Sequence, residues 1–341
     1  EVRYSVCLIA RTFGSLALLS ATAPALLAEP AFAADTAPIG FAAVNALGQN
    51  GTTGGAGGPT VTVTNATDFI AAIAATGPRV VRVQGTITLP TGSSDGMYSV
   101  SSDKTVIGVG ATARIQGGGL TIGLPVDDDV TSPPANAVHN VIIRNLSFTG
   151  ATDDAINVQM FSHHIWIDHN DLCCGDDGLV DIKRGSDLVT VSWNRTHDHD
   201  KTYLLGHDDD NAAQDVGRLR VTYHHNFMDG SDQRNPRVRF GEPVHVYNNY
   251  CRNASYCIVS AMDAGLVVEN NVFENVNNPG RVDFSGDLGR LVARGNVLID
   301  THHPIETRGS VVEPRTYYPY TLDAASAVPT VVPAGAGVGK I

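Results

Sequence analysis

Six asparagines set the frame of this chain. Asn170, Asn194, Asn226, Asn249, Asn271 and Asn296 each follow two apolar residues placed five and three positions earlier: Ile165/Ile167, Val189/Val191, Val221/Tyr223, Val244/Val246, Leu266/Val268 and Leu291/Ala293. Successive asparagines stand 24, 32, 23, 22 and 25 residues apart. A short alternating strand followed by a turn, recurring with a period in the twenties, describes a solenoid. One turn alone cannot bury its apolar face, so only stacked turns are stable. Asparagine suits the bend because it tolerates the left-handed backbone region, and stacked amides can bond from turn to turn. A β-sandwich would instead carry hairpin signals about every 8–12 residues. The 35 glycines and the 6% aromatic content fit an all-β chain with many turns.

Outside the repeat the pattern changes. Val80-Val81-Arg82-Val83, Thr86-Ile87-Thr88-Leu89 and Thr105-Val106-Ile107 alternate as strands. From Asp68 to Ala75 the apolar residues Phe69, Ile70 and Ile73 have helical spacing, with Thr67 or Asp68 as cap, which predicts a short N-terminal cap helix. The glycine-rich stretch from Gly48 to Gly58 lacks the Gly-Lys-Ser/Thr ending of a phosphate loop and reads as turn. From Pro304 to Ile341 the repeat stops, and an extended C-terminal tail along the outside of the solenoid is expected. Although 341 residues could hold two domains, the continuous repeat assigns residues 34–341 to one.

The N-terminus reads differently. Arg3 and Arg11, an apolar run from Leu16 to Ala28, and Ala31-Phe32-Ala33 follow the order of a secretory signal peptide over residues 1–33, with the cut after Ala33 or Ala34. Pro24 interrupts the run, which falls short of the roughly 18 residues of a membrane span. The expectation is a secreted, extracellular protein with no membrane partner. A net charge of -12 argues against nucleic acid. Of five cysteines, Cys7 leaves with the signal, and Cys251 with Cys257 can close a small loop. A bridge between Cys173 and Cys174 would be strained, so one is expected to pair elsewhere or both to stay buried. No cysteine pair stands at zinc-ligand spacing.

Between Asp154 and Arg239 carboxylates come first and cations last. Asp177 and Asp181 are four apart, and on a bent strand both can point outward to one place; Asp154 lies one coil earlier. Three such carboxylates make a hard oxygen site suited to Ca²⁺. Lys201 and the run Arg234-Asn235-Pro236-Arg237-Val238-Arg239 follow. A uronic acid polymer, with a carboxylate on every sugar, needs both a cation bridge and Arg or Lys contacts. Arg237 reads instead as a surface arginine pairing with a local aspartate. His163, His164, His169, His197, His199, His207, His224 and His225 read as structural, and Trp166-Ile167-Asp168-His169 as an architectural motif where the coil turns.

These blocks, in this order and spacing, resemble the extracellular Ca²⁺-dependent pectate lyases of polysaccharide lyase family 1, from the glycine-rich lead-in through Leu322-Asp323. The resemblance implies a single-stranded right-handed parallel β-helix with a substrate groove on one outer face. It implies Asp154, Asp177 and Asp181 as Ca²⁺ ligands, with Asp153 and Asp176 as neighbours able to share that role. It makes Lys201 and Arg239 binders of substrate carboxylates and Arg234 the catalytic base. The implied reaction is β-elimination on polygalacturonate by a monomeric enzyme, giving 4,5-unsaturated products. A polygalacturonase is the hydrolytic alternative, but the chain has no Asn-Thr-Asp, Gly-His-Gly or Arg-Ile-Lys. A Ca²⁺-independent pectin lyase would not need Asp177 and Asp181, and a non-catalytic polysaccharide-binding solenoid would not need Lys201 and Arg234.

Overall fold

In the computed structural model, which describes residues 35–91 and 96–341, the six asparagines stand in file. Asn170 Nδ2 donates to Asn194 Oδ1 (3.0 Å), Asn194 to Asn226 (3.1 Å) and Asn226 to Asn249 (2.9 Å). Asn249 continues to Asn271 and Asn271 to Asn296, each at 3.0 Å. Each acceptor oxygen also takes the backbone N–H of the asparagine before it. The second Nδ2 hydrogen reaches a strand carbonyl of the preceding coil, from Ile143 for Asn170 to Val268 for Asn296. An interior member therefore uses both donors and accepts twice, the full capacity of a buried amide.

The ladder asparagines are not the left-handed residues, contrary to expectation. That conformation falls on the residue before each: His169 (φ 51°), Trp193 (52°), His225 (54°), Asn248 (50°), Asn270 (52°) and Gly295 (62°). The division of labour is physical. One residue makes the bend, and the next aims its amide along the axis. Left-handed backbone is unfavourable for large side chains, and here it is offset by stacking of the rings on one another, His169 on Trp193 at 5.7 Å and Trp193 on His225 at 4.3 Å.

Behind the ladder, ten parallel strands pair in chain order from Thr60–Val63 to Arg290–Arg294. Their register sets Ile165 on Val189 and Val189 on Val221, and Val244 on Leu266 and Leu266 on Leu291, all fully buried. Each such side chain contributes roughly 1.5–3 kcal/mol on burial. A second set of strands runs up one face to Tyr250–Ala261 and returns down another to Met97–Ser99, because that long strand serves both faces. Parallel strands stacked coil on coil, with few helices, make a β-solenoid.

The helix Ala66–Ala74 caps the N-terminal end, burying Phe69, Ala72 and Ile73 in the main core. Its cap is Asn65, whose side chain accepts from Asp68 N (3.0 Å) while its amide donates to the Asp68 carboxylate. Thr67 and Asp68, expected as caps, lie inside the helix. The glycine-rich lead-in is a turn as expected: Thr53 and Gly54 donate to Asn140 Oδ1, each at 2.7 Å. The tail packs along the outside, yet it is not extended throughout. Val328–Gly335 is a helix whose Val328 and Val332 pack on Phe227, Tyr250 and Val272. Pro329 stands within its first turn, where a missing N–H costs nothing.

Cys251 and Cys257 are bonded, with Cα atoms 6.6 Å apart. Cys173 and Cys174 are bonded to each other, and Cys174 is exposed. The expectation that one pairs elsewhere or both are buried fails because the other two described cysteines are taken. The signal peptide expected over residues 1–33 lies outside the described residues. Among the described residues no helix is long and apolar enough to cross a membrane.

Removing an interior rung should cost more than removing the last one. Asn226→Ala strands two buried donors of Asn194 and loses the bond to Asn249, so a stability loss of about 3 kcal/mol or more is expected. Asn296→Ala, at the half-buried end of the file, should cost about 1 kcal/mol. Urea unfolding of both variants measures the difference.

Candidate active site

One coil here is 24 residues, and this spacing builds the site. Ile156 pairs with Val180, and Asp171 with Arg195. The same offset sets Asp177 over Asp153, Gly178 over Asp154 and Lys201 over Asp177. Turn acids in two successive coils are thus followed by a cation, Lys201, at the end of the strand Arg195–Lys201 in the third. Oxygens of Asp153, Asp154 and Asp177 all lie within 4.8 Å of one another.

Gly178 makes room for the cluster. Its N–H donates to Asp154 Oδ1 (3.0 Å), and a Cβ there would stand 2.5 Å from Asp181 Oδ1 and 2.6 Å from Asp154 Oδ1. Any side chain at this position would fill the space between two carboxylates. Asp154 and Asp181 are only 1% and 3% exposed, so Asp181, although it stands on the outer side of its strand opposite the core residues Val180 and Ile182, is covered and not open to solvent as expected. It lies between coils and under Lys183, whose Nζ is 3.1 Å from Asp154 Oδ2 and 3.5 Å from Asp181 Oδ2. Burial, and then the Asp154 carboxylate, push the Asp181 carboxyl well above the usual range. Burial opposes the Lys183 charge, but Asp181 and Asp154 outweigh it and raise the ammonium. Asn157, opposite Asp181 in the register, holds a buried Oδ1 with no hydrogen-bond partner. Clustered carboxylate oxygens, an unpaired buried amide oxygen and a gap kept open by glycine suit a hard divalent cation.

Asp177 forms the outer edge, with about half its side chain exposed. Lys201 Nζ lies 2.6 Å from its Oδ1, and this hydrogen bond holds the carboxyl below the usual range. Asp176 is exposed and lies outside the cluster. Two of the three expected aspartates, Asp154 and Asp177, thus come together with Asp153, while Asp181 lies outside that group of three and borders it through Asp154, across Gly178.

Arg234 follows the strand Phe227–Gln233 in a left-handed conformation (φ 62°), with its carbonyl bonded to Tyr203 N. Its positive charge is one of the smaller influences favouring the ionised forms of Asp177 and Asp181, which puts it in their vicinity. Its buried Nε has no hydrogen-bond partner. Arg239 is 8% exposed and already engaged, with Nε 2.5 Å from Asp209 Oδ1 and Nη1 2.9 Å from the Gly206 carbonyl. Arg237 does not pair with an aspartate; it contacts the Phe284 carbonyl and Ser285 and lies over the Phe284 ring.

Most of the histidines are structural. His163 bonds to His164 and His224 to His225 through their Nδ1 atoms, and His169 bonds to Asp168. Burial pushes His163 and His207 down to about 4. The Trp166 motif is architectural, since Asp168 gathers Arg144, His169 and Ser192 at 2.6 Å each. Sequence reasoning missed the roles of Lys183 and Asp209. The alternation Asp181-Ile182-Lys183, which puts Lys183 on the same strand side as Asp181, was the available signal for the first.

The pectate lyase family model matches residues 13–341. A pectate trisaccharide-lyase of Thermotoga maritima is 35% identical over 345 residues, covering 89% of each chain. Pectate lyase plyB of Emericella nidulans is 37% identical over 267 residues, or 75% of this chain and 73% of its own. Among solved structures, a pectate lyase of Bacillus sp. N165 in complex with trigalacturonate superposes with a TM-score of 0.73. It is 29% identical, and the match covers 89% of this chain and 99% of that one.

A pH dependence follows from Asp181. Its folded-state carboxyl holds a proton that the unfolded chain has already released, so stability falls as pH rises above the ordinary carboxylate range. In metal-free buffer the thermal midpoint should drop between about pH 5 and about pH 9, and Asp181→Asn should flatten much of that slope. Scanning calorimetry across the range measures both.

Proposed function

Because this chain belongs to the pectate lyase family, we propose that it cleaves de-esterified polygalacturonate by Ca²⁺-assisted β-elimination. The observation that carries this reading is the cluster of Asp153, Asp154, Asp177 and Asp181 with Lys201 and Arg234 on its border. Four acids and adjoining cations suit an anionic polymer only if a metal neutralises the acids. Asp153, Asp154, Asp177 and Asp181 are the residues that would hold Ca²⁺, and the ion would supply Lewis-acid stabilisation of the charge that develops on a galacturonate carboxylate.

In the elimination the C5–H pair becomes the C4–C5 double bond. O4 departs with the C4–O4 electrons and takes up a proton. Lys201, once released from Asp177, is assigned to the sugar carboxylate, and Arg239 to a second carboxylate. Arg239 would have to exchange Asp209 for it. Arg234 is assigned the position that accepts the C5 proton. A guanidinium is ordinarily always protonated, so this role requires a neutral side chain at the moment of proton transfer, a demand that the kinetics of Arg234→Lys test.

We further propose that residues 1–33 are removed on export and that the mature enzyme is an extracellular monomer. The apolar run from Leu16 to Ala28 and the two disulfides support an oxidising destination. Mass spectrometry of the protein from culture medium should give an N-terminus at Ala34 or Asp35, and an intact residue 1–33 segment there would refute this.

The activity test uses polygalacturonate and ultraviolet absorbance of the unsaturated product. A chelator should abolish the signal and added Ca²⁺ restore it. Arg234→Lys should lower kcat by about 100-fold or more with KM changed only about threefold or less. Arg239→Lys should mainly raise KM, because a two-pronged carboxylate contact becomes a single one. Full turnover in chelator would exclude the metal, and near-normal kcat in Arg234→Lys would move the base elsewhere.

A further inference from the structure

The outermost carboxylate of the cluster, Asp177, has only a long main-chain hydrogen bond at its own amide. Asp177 belongs to the turn between the strands Asp171–Cys173 and Val180–Ile182. Asp176 N reaches the Ala151 carbonyl at 2.9 Å, but Asp177 N is 3.5 Å from the Asp153 carbonyl, at the weak limit of a hydrogen bond. Support comes from the next coil. His199 Nε2 lies 2.7 Å from the Asp177 carbonyl oxygen. His199 and Lys201 are two apart on the strand Arg195–Lys201 and so share a side of it. One strand thus grips Asp177 twice, Lys201 at the carboxylate and His199 at the main chain.

These two grips do not fare alike when a cation arrives. A cation competes with Lys201 for the same carboxylate oxygens, and Lys201 must let go to meet substrate. The bond from His199 to the carbonyl is outside that competition. We propose that His199 is a positioning residue: its Nε2–H holds the Asp177 carbonyl, so that the Asp177 carboxylate stays turned toward Asp153 and Asp154 when Lys201 is withdrawn. Among the histidines named above, His163, His164, His169, His197, His224 and His225 find their ring partners elsewhere. Groups that orient metal ligands from behind act by lowering the ordering cost of binding. This inference rests on the Ca²⁺ reading of the preceding subsection.

The test is calorimetric titration of the substrate-free protein with Ca²⁺. His199→Leu, which removes the donor, should weaken the Kd about tenfold or more. His199→Gln, whose amide can reach the same carbonyl, should stay within about threefold of wild type. In chelator the unfolding midpoints of wild type and both variants should agree, while the rise produced by a fixed Ca²⁺ concentration should shrink only in His199→Leu. Wild-type binding with an unchanged Kd in His199→Leu overturns the positioning role alone. Absence of Ca²⁺ binding by wild type overturns the metal reading with it. Should His199→Leu not fold, nitrogen NMR of the wild-type imidazole decides. A proton on Nε2 agrees with the proposal, and a neutral ring carrying its proton on Nδ1 refutes it, since Nε2 then cannot donate.

Discussion

Everything in this molecule depends on a buried amide that cannot afford an unmade bond. Each interior ladder asparagine gives two hydrogen bonds and takes two, and all of them run to adjacent coils. A slip of one residue in the stacking would leave several polar atoms unpaired at about 1–3 kcal/mol apiece. The apolar column gives stability but little register, because Val, Ile and Leu exchange places at small cost. The amide file supplies the register, and the register carries Asp177 over Asp153 and Lys201 over Asp177.

The same stacking that orders the site also stresses it. Acids brought together by neighbouring coils repel, and Asp154 in its turn and Asp181 on the strand Val180–Ile182 do so out of contact with water. Lys183 offsets part of that repulsion from the same strand side as Asp181, and Lys201 offsets it at the rim. A cation would complete the neutralisation, and Lys201 would then be free to turn outward. Electrostatic stress among these acids and affinity for a cation are two descriptions of one arrangement.

How far this was legible in the sequence depends on the range of the interaction. The Asn positions and their paired apolar residues are one-dimensional signals, so the coils and their core could be read directly. Since Asp154 and Gly178 are one period apart, their approach followed from counting. Depth could not be counted. Asp181 reads as an outward strand position, yet it is covered by Lys183 and faces the neighbouring coil at Asn157. Asp209, which engages Arg239, comes from a segment outside the repeat and left no periodic trace. The helix at Val328–Gly335 was hidden by Pro329 and Pro333, residues that ordinarily argue against helix. Its stability comes from Phe227, Tyr250 and Val272, far away in the chain.

The coil between Asn194 and Asn226 is 32 residues, longer than its neighbours, yet the amide bond across it is still made, at 3.1 Å against 2.9–3.0 Å for the others. The surplus emerges as the segment around Asp209 and the short helix Ala212–Asp215, leaving the turn where the amides meet undisturbed. The architecture is therefore indifferent to how much chain lies between two rungs. New loops can be spliced into a coil, and lengthened or replaced, without re-indexing the frame beneath them. The acids of the site stand where the scaffold's period sets them, whereas the partner of Arg239 stands on the surplus segment, so the surroundings of the site can be altered while the acids keep their places.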